Sequence, residues 1–297
     1  MSQIINIIHK KKGGVWEVVK RLQDQGNYTT TANFQSVFNL FNKRQSKLFF
    51  HQPTSHLFSL LFFFLGFPRE NITVVLHESV SYNYNLTVKS FVKVQIRFMV
   101  IRLVNILGIR IITVSEFISK SYKLNNIQKV DYSKLFMKEI DLFKDNYAKI
   151  PKDSRLAIAW LRPGTHKKTA EVILKLIANH NVSKIVLLGN LVEIKRTKIE
   201  LNEKVPKVDV EFSEFLPKND FYKLLQKSLW FISTYDKEGF GLSIFEASKF
   251  GCICLSPPSG AVLEWLPKPN FLIYQKILLQ ESLEDELLIK AIEKNLQ

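Results

Sequence analysis

Residues Lys237–Glu246 read KEGFGLSIFE. An apolar run, Leu229–Ile232, precedes them, and Leu242, Phe245, Glu246 and Phe250 follow at helical spacing. The stretch therefore reads as the end of a strand, a tight loop and the start of a helix. In open α/β sheets, ligands bind at such strand-to-helix turns. The loop glycines let backbone approach a ligand, and a helix N-terminus offers unpaired N–H groups to phosphate. With the helix starting near Leu242, Glu238 lies in the loop. Glu246 lies about one turn into the helix, projecting from the same end of the sheet.

Working outward, short apolar runs alternate with helix-like stretches. In the first half the expected strands are Ile4–Ile8, Thr30–Phe34, Leu48–Phe50, Ile72–Leu76 and Ile109–Val114. The expected helices there are Val15–Gln25, His56–Gly66, Val88–Leu107 and Glu116–Leu124, with Ser115 as the N-cap of the last. Asp131–Ser154 is polar and lysine-rich, and Pro151 sits inside it, so the linker is placed there. A second series of strands follows at Leu156–Trp160, Ile185–Leu188, Val208–Phe212, Trp230–Ser233, Cys252–Leu255 and Phe271–Tyr274. Helices are expected at Lys168–Ala178, Asn219–Gln226, Leu242–Phe250 and Ser282–Asn295. The alternation predicts βαβ units and parallel sheets in two Rossmann-like domains, 1–150 and 151–297.

The 297 residues suffice for two ordinary domains, and the net charge of +15 favours an anionic partner. Nucleic acid, a phosphate-rich small molecule and an acidic membrane surface all qualify. No nucleic-acid-binding motif stands in the chain and the basic residues are dispersed, so no specific nucleic acid is expected. The longest apolar run, Leu57–Phe67, is about half the ~20 residues that span a bilayer. The simplest expectation is a cytoplasmic protein, either soluble or peripheral on the inner face of the membrane. Lys89, Lys93, Arg97 and Arg102, interleaved with Phe91, Val94, Phe98 and Val104, suit a helix lying on an anionic bilayer. They equally suit an amphipathic helix covering a sheet. Cys252 and Cys254 are the only cysteines, expected buried and reduced. No metal site is expected. Asp209-Val-Glu211, the nearest approach to an Asp-x-Asp pair, sits in a strand pattern.

EGFG followed by Glu246, a Glu-x7-Glu arrangement from Glu238, resembles the signature of retaining, nucleotide-sugar-dependent glycosyltransferases of the GT-B architecture (glycosyl transferases group 1, family 4-like). KIVLLG (Lys184–Gly189) and GCICLS (Gly251–Ser256) stand in that family's order. Gly13-Gly14, VLHE (Val75–Glu78) and TVSEFIS (Thr113–Ser119) resemble its N-terminal domain. The resemblance implies a GT-B fold, two Rossmann-like domains facing a cleft. It also implies a nucleoside-diphosphate sugar as donor substrate, with no cofactor, and a glycan or lipid-linked acceptor.

Site roles follow from the resemblance. Glu246 would bind the ribose hydroxyls, with the plain alternative of a helix glutamate favouring the dipole. Glu238 would lie by the donor sugar, either contacting its hydroxyls or acting as nucleophile. Gly239, Phe240, Gly241 and Leu242 would line the donor pocket, although Phe240 equally suits a core aromatic. In the family an Arg and a Lys after the first strand of the second domain offset the leaving diphosphate's charge. AWLRPGTHKK offers Arg162 with Lys167, or Lys168, and a second alignment sets Trp160 at the Arg position. Gly13 and Gly14 would approach the donor phosphates, and His77 would contact the donor sugar or the reaction centre. The other histidines have no comparable context. The chain is short for the family and lacks its proline–asparagine–glycine segment before the linker. A catalytically degenerate GT-B binding or scaffold protein is therefore the competing expectation.

Overall fold

The computed structural model describes residues 4–8, 16, 18–20, 23, 28–31, 45–51, 53–77, 88–124, 127–130, 133–146, 150–266, 268, 270, 274 and 275. Gly13, Gly14 and the terminal helix expected over Ser282–Asn295 lie outside them. The chain divides into two compact units, Met1–Leu135 and Phe136–Gln297.

The first unit carries a parallel sheet. Its strands are β1 (Ile4–Ile7), β2 (Tyr28–Thr31), β3 (Lys47–Phe50), β4 (Ile72–Leu76), β5 (Arg110–Thr113) and β6 (Gln128–Lys129). They lie in the order β2-β1-β3-β4-β5-β6, all parallel. Every residue of β4 is buried, as a parallel strand covered on both faces demands. Among the described residues, helices α1 (Pro53–Phe64), α2 (Val88–Ile106) and α3 (Glu116–Ser121) connect the strands. The Ser115 hydroxyl accepts from the Ile118 N–H at 3.3 Å and caps α3, as its position before the helical run predicted.

On α2, Ile101 and Val104 are buried, and Phe98 stacks on Tyr122 at 6.5 Å between centroids. Those side chains are therefore part of the fold, with the Arg97 guanidinium over the Tyr122 ring and Arg102 over Phe98. The outward face is a different set. Val92, Ile96, Met99, Leu103 and Ile106 are 39–78% exposed, and their spacing puts them on one stripe of the helix. Leu57, Leu61, Phe64 and Leu65, on and just beyond α1, are exposed as well. Among the described residues, no helix is long and apolar enough to cross a membrane.

Helix α4 (Ser133–Asn146) spans the boundary between the units and folds as a helix inside the stretch read as linker. Phe136, Ile140 and Phe143 bury its inner face, and Phe143 meets Tyr222 and Phe250 edge-on at 5.2 and 5.6 Å. The strands of the second unit are β7 (Asp153–Leu161), β8 (Lys184–Gly189), β9 (Asp209–Ser213), β10 (Ser228–Ile232) and β11 (Ile253–Leu255). Their order is β11-β10-β7-β8-β9, all parallel. Between them run α5 (His166–His180), α6 (Leu191–Lys204), α7 (Lys218–Lys227) and α8 (Leu242–Lys249). The core centres on Trp230, Leu187, Ile185, Val172 and Leu176. Burying a side chain of that size contributes about 1.5–3 kcal/mol. Cys252 and Cys254 are buried and unbridged.

This strand order fixes where a ligand belongs. From β7 the chain steps to β8 and β9 on one side, then returns to β10 and β11 on the other. The switch point therefore lies between β7 and β10, and in open α/β sheets ligands bind at the carboxyl ends of the two strands that flank it.

Candidate active site

Arg162 directly follows β7 and Glu238 stands in the loop after β10, so the two flank that switch point. They are joined. Arg162 Nε donates to Glu238 Oε1 at 3.2 Å and Nη2 donates to Oε2 at 3.4 Å, a two-pronged contact. The Glu238 side chain is 6% exposed and that of Arg162 is 45% exposed, so a buried carboxylate meets a cation open to solvent.

The Arg162 loop has a local cause. Arg162-Pro163-Gly164-Thr165 closes a turn with Thr165 N–H donating to the Arg162 carbonyl at 3.1 Å. Proline suits its second position, and Gly164 has φ +82° at the third. The Thr165 hydroxyl stands 3.1 Å from Arg162 N–H and donates to its carbonyl at 2.8 Å, pinning the turn. Glu193, buried in the first turn of α6, accepts from His166 N–H and from the His166 ring at 3.1 Å each. Burial raises the Glu193 pKa, but bonds from the His166 and Gly164 backbone and the His166 ring outweigh it and hold it below the ordinary value. Lys167 and Lys168 stand exposed on the first turn of α5, where the RPGT turn delivers them.

The Glu238 loop is held from behind. Ala261 N–H donates to the Glu238 carbonyl at 3.0 Å. Gly260 has φ +69°, and a Cβ there would stand 3.0 Å from that carbonyl and 3.2 Å from the Glu238 nitrogen. Gly241, at φ +79°, is the N-cap of α8 and starts the helix without a side-chain cap. Gly239 and Leu242 are half-buried. Phe240 packs against Phe245 and Trp265 at 5.6 and 5.9 Å, and Trp265 Nε1 donates to the Phe240 carbonyl at 2.9 Å. Its ring is thus engaged in an aromatic cluster that fixes the loop.

Glu246 projects from α8 and is 3% exposed. The Lys218 ammonium ion-pairs with Glu246 Oε1, and the Tyr222 hydroxyl donates to the same oxygen at 3.1 Å. Lys218 also lies over the Tyr222 ring at 4.9 Å. Lys218 and Tyr222 are residues the sequence reading missed. They lie on α7, 28 and 24 positions from Glu246, and only the neighbouring packing of α7 and α8 makes them its partners.

His77 belongs to the first unit. It follows β4 and its Nε2 stands 3.0 Å from His51 Nδ1. Burial, and then the Arg97 charge, lowers its pKa to about 3, so the ring is neutral near neutral pH. Of the expected site residues, Arg162 and Glu238 are therefore in contact and Glu246 has a partner set of its own. Lys167 reaches solvent, His77 stands in the other unit, and Gly13 and Gly14 fall outside the described residues.

Comparison with known proteins adds the family. The model of a family described as "Glycosyl transferases group 1" matches residues 139–297, more than half of the chain. No curated protein matches by sequence. Among solved structures, Anabaena HepE in complex with UDP and glucose is similar at TM-score 0.68 and 13% identity, covering 100% of this chain and 94% of that one. A UDP-forming α,α-trehalose-phosphate synthase from Burkholderia xenovorans is similar at TM-score 0.61 and 12% identity, covering 99% and 96%. A TarM mutant from S. aureus, solved with fondaparinux, α-GlcNAc-glycerol and UDP, has TM-score 0.59 and 16% identity, covering 87% and 53%. At these identities the likeness is one of fold: α/β units with parallel sheets of the GT-B kind.

Proposed function

The chain belongs to the glycosyl transferases group 1 family, and on that premise we propose that it moves a sugar from a nucleoside-diphosphate sugar to a glycan or lipid-linked acceptor. The observation that carries this is the Arg162–Glu238 pair at the switch point of the second sheet. A donor diphosphate would draw on the exposed Arg162 guanidinium and on Lys167, while Glu238 would accept hydrogen bonds from sugar hydroxyls. Glu246 would take the ribose hydroxyls, with Lys218 holding its carboxylate in place. HepE crystallised with UDP and glucose supports a nucleotide-sugar donor, and TarM with glycan-like ligands supports a glycan acceptor.

The reaction is proposed to retain anomeric configuration by front-face displacement, with the protein's own cations stabilising the leaving diphosphate and no metal required. Incubation with a panel of nucleotide sugars and NMR of the product tests this directly. The expected result is release of nucleoside diphosphate, unaffected by EDTA, and a product anomer matching the donor's. An inverted anomer would refute retention, and loss of turnover in EDTA would refute metal independence.

An anionic membrane surface is proposed as a further partner. The apolar stripe Val92, Ile96, Met99, Leu103 and Ile106 lies beside exposed Lys93 and Arg102, a combination that suits insertion beneath charged headgroups. Vesicles containing phosphatidylglycerol are expected to bind the chain more tightly than phosphatidylcholine vesicles at low salt. The double change Ile96→Asp and Met99→Asp should weaken that binding about tenfold or more. Equal binding by the variant would remove the stripe from the interface.

A further inference from the structure

Helix α5 begins without a cap of its own. Thr165 stands at its N-cap position, but the Thr165 hydroxyl makes no capping bond to the helix. It is turned back onto the RPGT turn, where it accepts from Arg162 N–H and donates to the Arg162 carbonyl. The first N–H groups of a helix have no partner within it, so α5 needs an acceptor from elsewhere. Glu193, in the first turn of α6, supplies one. Its Oε2 accepts from His166 N–H and from His166 Nδ1, and the Gly164 N–H bonds the same carboxylate. A carboxylate only accepts, so Nδ1 carries a hydrogen in this contact. The Arg196 guanidinium, 58% exposed and 3.5 Å from Oε1, is the weaker partner.

Glu193 is itself held. Asn190 caps α6, its Oδ1 accepting from Glu193 N–H at 3.2 Å, and Asn190 N–H donates to the Leu161 carbonyl at 2.9 Å. The first turn of α6 therefore grips the segment 161–166 at both ends, through Asn190 at Leu161 and through Glu193 at Gly164 and His166. The start of α5 also reaches the other side of the site. The buried hydroxyls of Thr169 and Thr234 stand 2.8 Å apart, and Thr234 follows β10 on the way to Glu238. An apolar side chain in place of Glu193 would avoid the desolvation that a buried carboxylate costs. It would also leave two backbone N–H groups without the acceptor that Glu193 provides.

We propose that Glu193 is a positioning residue for Arg162. By capping α5 in place of Thr165, it leaves the Thr165 hydroxyl to close the RPGT turn, and so fixes the guanidinium against Glu238. The part this plays in turnover rests on the proposed transferase function. The placement of Arg162 is independent of that function.

Arginine Nε–H signals in ¹H–¹⁵N spectra of the full ¹⁵N-labelled chain test it, with Arg162 assigned through Arg162→Lys. The wild type is expected to show a slowly exchanging Arg162 Nε–H, because that group donates to buried Glu238. In Glu193→Ala the signal is expected to move or be lost. Thr165→Val, which keeps Glu193 but removes the hydroxyl, is expected to do the same. Glu193→Gln keeps an acceptor oxygen and is expected to keep the signal. An unaltered Arg162 signal in a folded Glu193→Ala chain would overturn the proposal, as would its loss in Glu193→Gln. Should Glu193→Ala not fold, an unaltered signal in Thr165→Val would overturn it equally. In turnover, Glu193→Ala should lower kcat by about 10–100-fold, the scale of a small misplacement of a reacting group's partner. It should cost nothing further in an Arg162→Ala background. Additive losses would overturn the positioning role. Failure of every donor to turn over, with the Arg162 signals as stated, would count against the transferase reading alone.

Discussion

Arg162→Ala is expected to lower kcat with the cognate nucleotide sugar by about 10²–10³-fold, the usual loss when one preorganised stabiliser of developing charge is removed. The leaving diphosphate gains negative charge, and Arg162 is the cation that the RPGT turn and the Thr165 hydroxyl hold at the carboxyl end of β7. The same change leaves buried Glu238 without its two guanidinium bonds, so a displaced loop is expected to add to the loss. Arg162→Lys separates the effects. It keeps a positive charge while losing the planar fork that matches a carboxylate or phosphate. An intermediate kcat, with nucleoside-diphosphate affinity close to that of the wild type, is expected for Lys. Stopped-assay turnover beside a thermal melt distinguishes the two. A full-rate Arg162→Ala enzyme would take Arg162 out of the reaction and return attention to Lys167 and Lys168.

Gly189→Ala is expected to destabilise the second unit by about 3–5 kcal/mol, lowering Tm on the order of 10 °C. Gly189 ends β8 at φ +109°, outside the range that side chains tolerate. An added Cβ would stand 2.4 Å from the Leu161 carbonyl oxygen, which is backbone and cannot rotate away. That carbonyl already accepts from the Asn190 N–H at 2.9 Å, which couples the end of β8 to the end of β7. The strain therefore falls one residue before Arg162. Calorimetry of the variant gives the stability change, and a melt within 2 °C of the wild type, on the order of 1 kcal/mol or less, would contradict this account of the turn.

The parallel sheets were legible because their strands are short apolar runs separated by turn residues. The EGFG loop was legible because its glycines and paired acids have few structural alternatives. Helix α4 carries a readable signal, Phe136, Ile140 and Phe143 at helical spacing, but surrounding lysines and a nearby proline make the stretch look like linker. Helix α6 escaped notice for a related reason. It is rich in charge, and one of its buried residues is Glu193, whose burial depends on the His166 loop. The partners of Glu246 and His77 could not be read at all. Lys218 and Tyr222 reach Glu246 only after α7 and α8 pack together, and His51 reaches His77 only because β3 lies between β1 and β4. A lysine in a basic chain and a histidine after a strand carry no local mark of such contacts.

The second unit is proposed to bind a nucleotide through Glu246 and the loop that Glu238 and Arg162 share. Thermal melts of the intact chain with UDP, GDP and ADP, repeated for Glu246→Ala, test it most directly. One nucleoside diphosphate should raise the Tm of the wild type, as ligand binding to the folded state requires. The same concentration should leave a folded Glu246→Ala chain with little or no shift. A wild type indifferent to all three nucleotides, or an equal shift in the variant, would contradict the account.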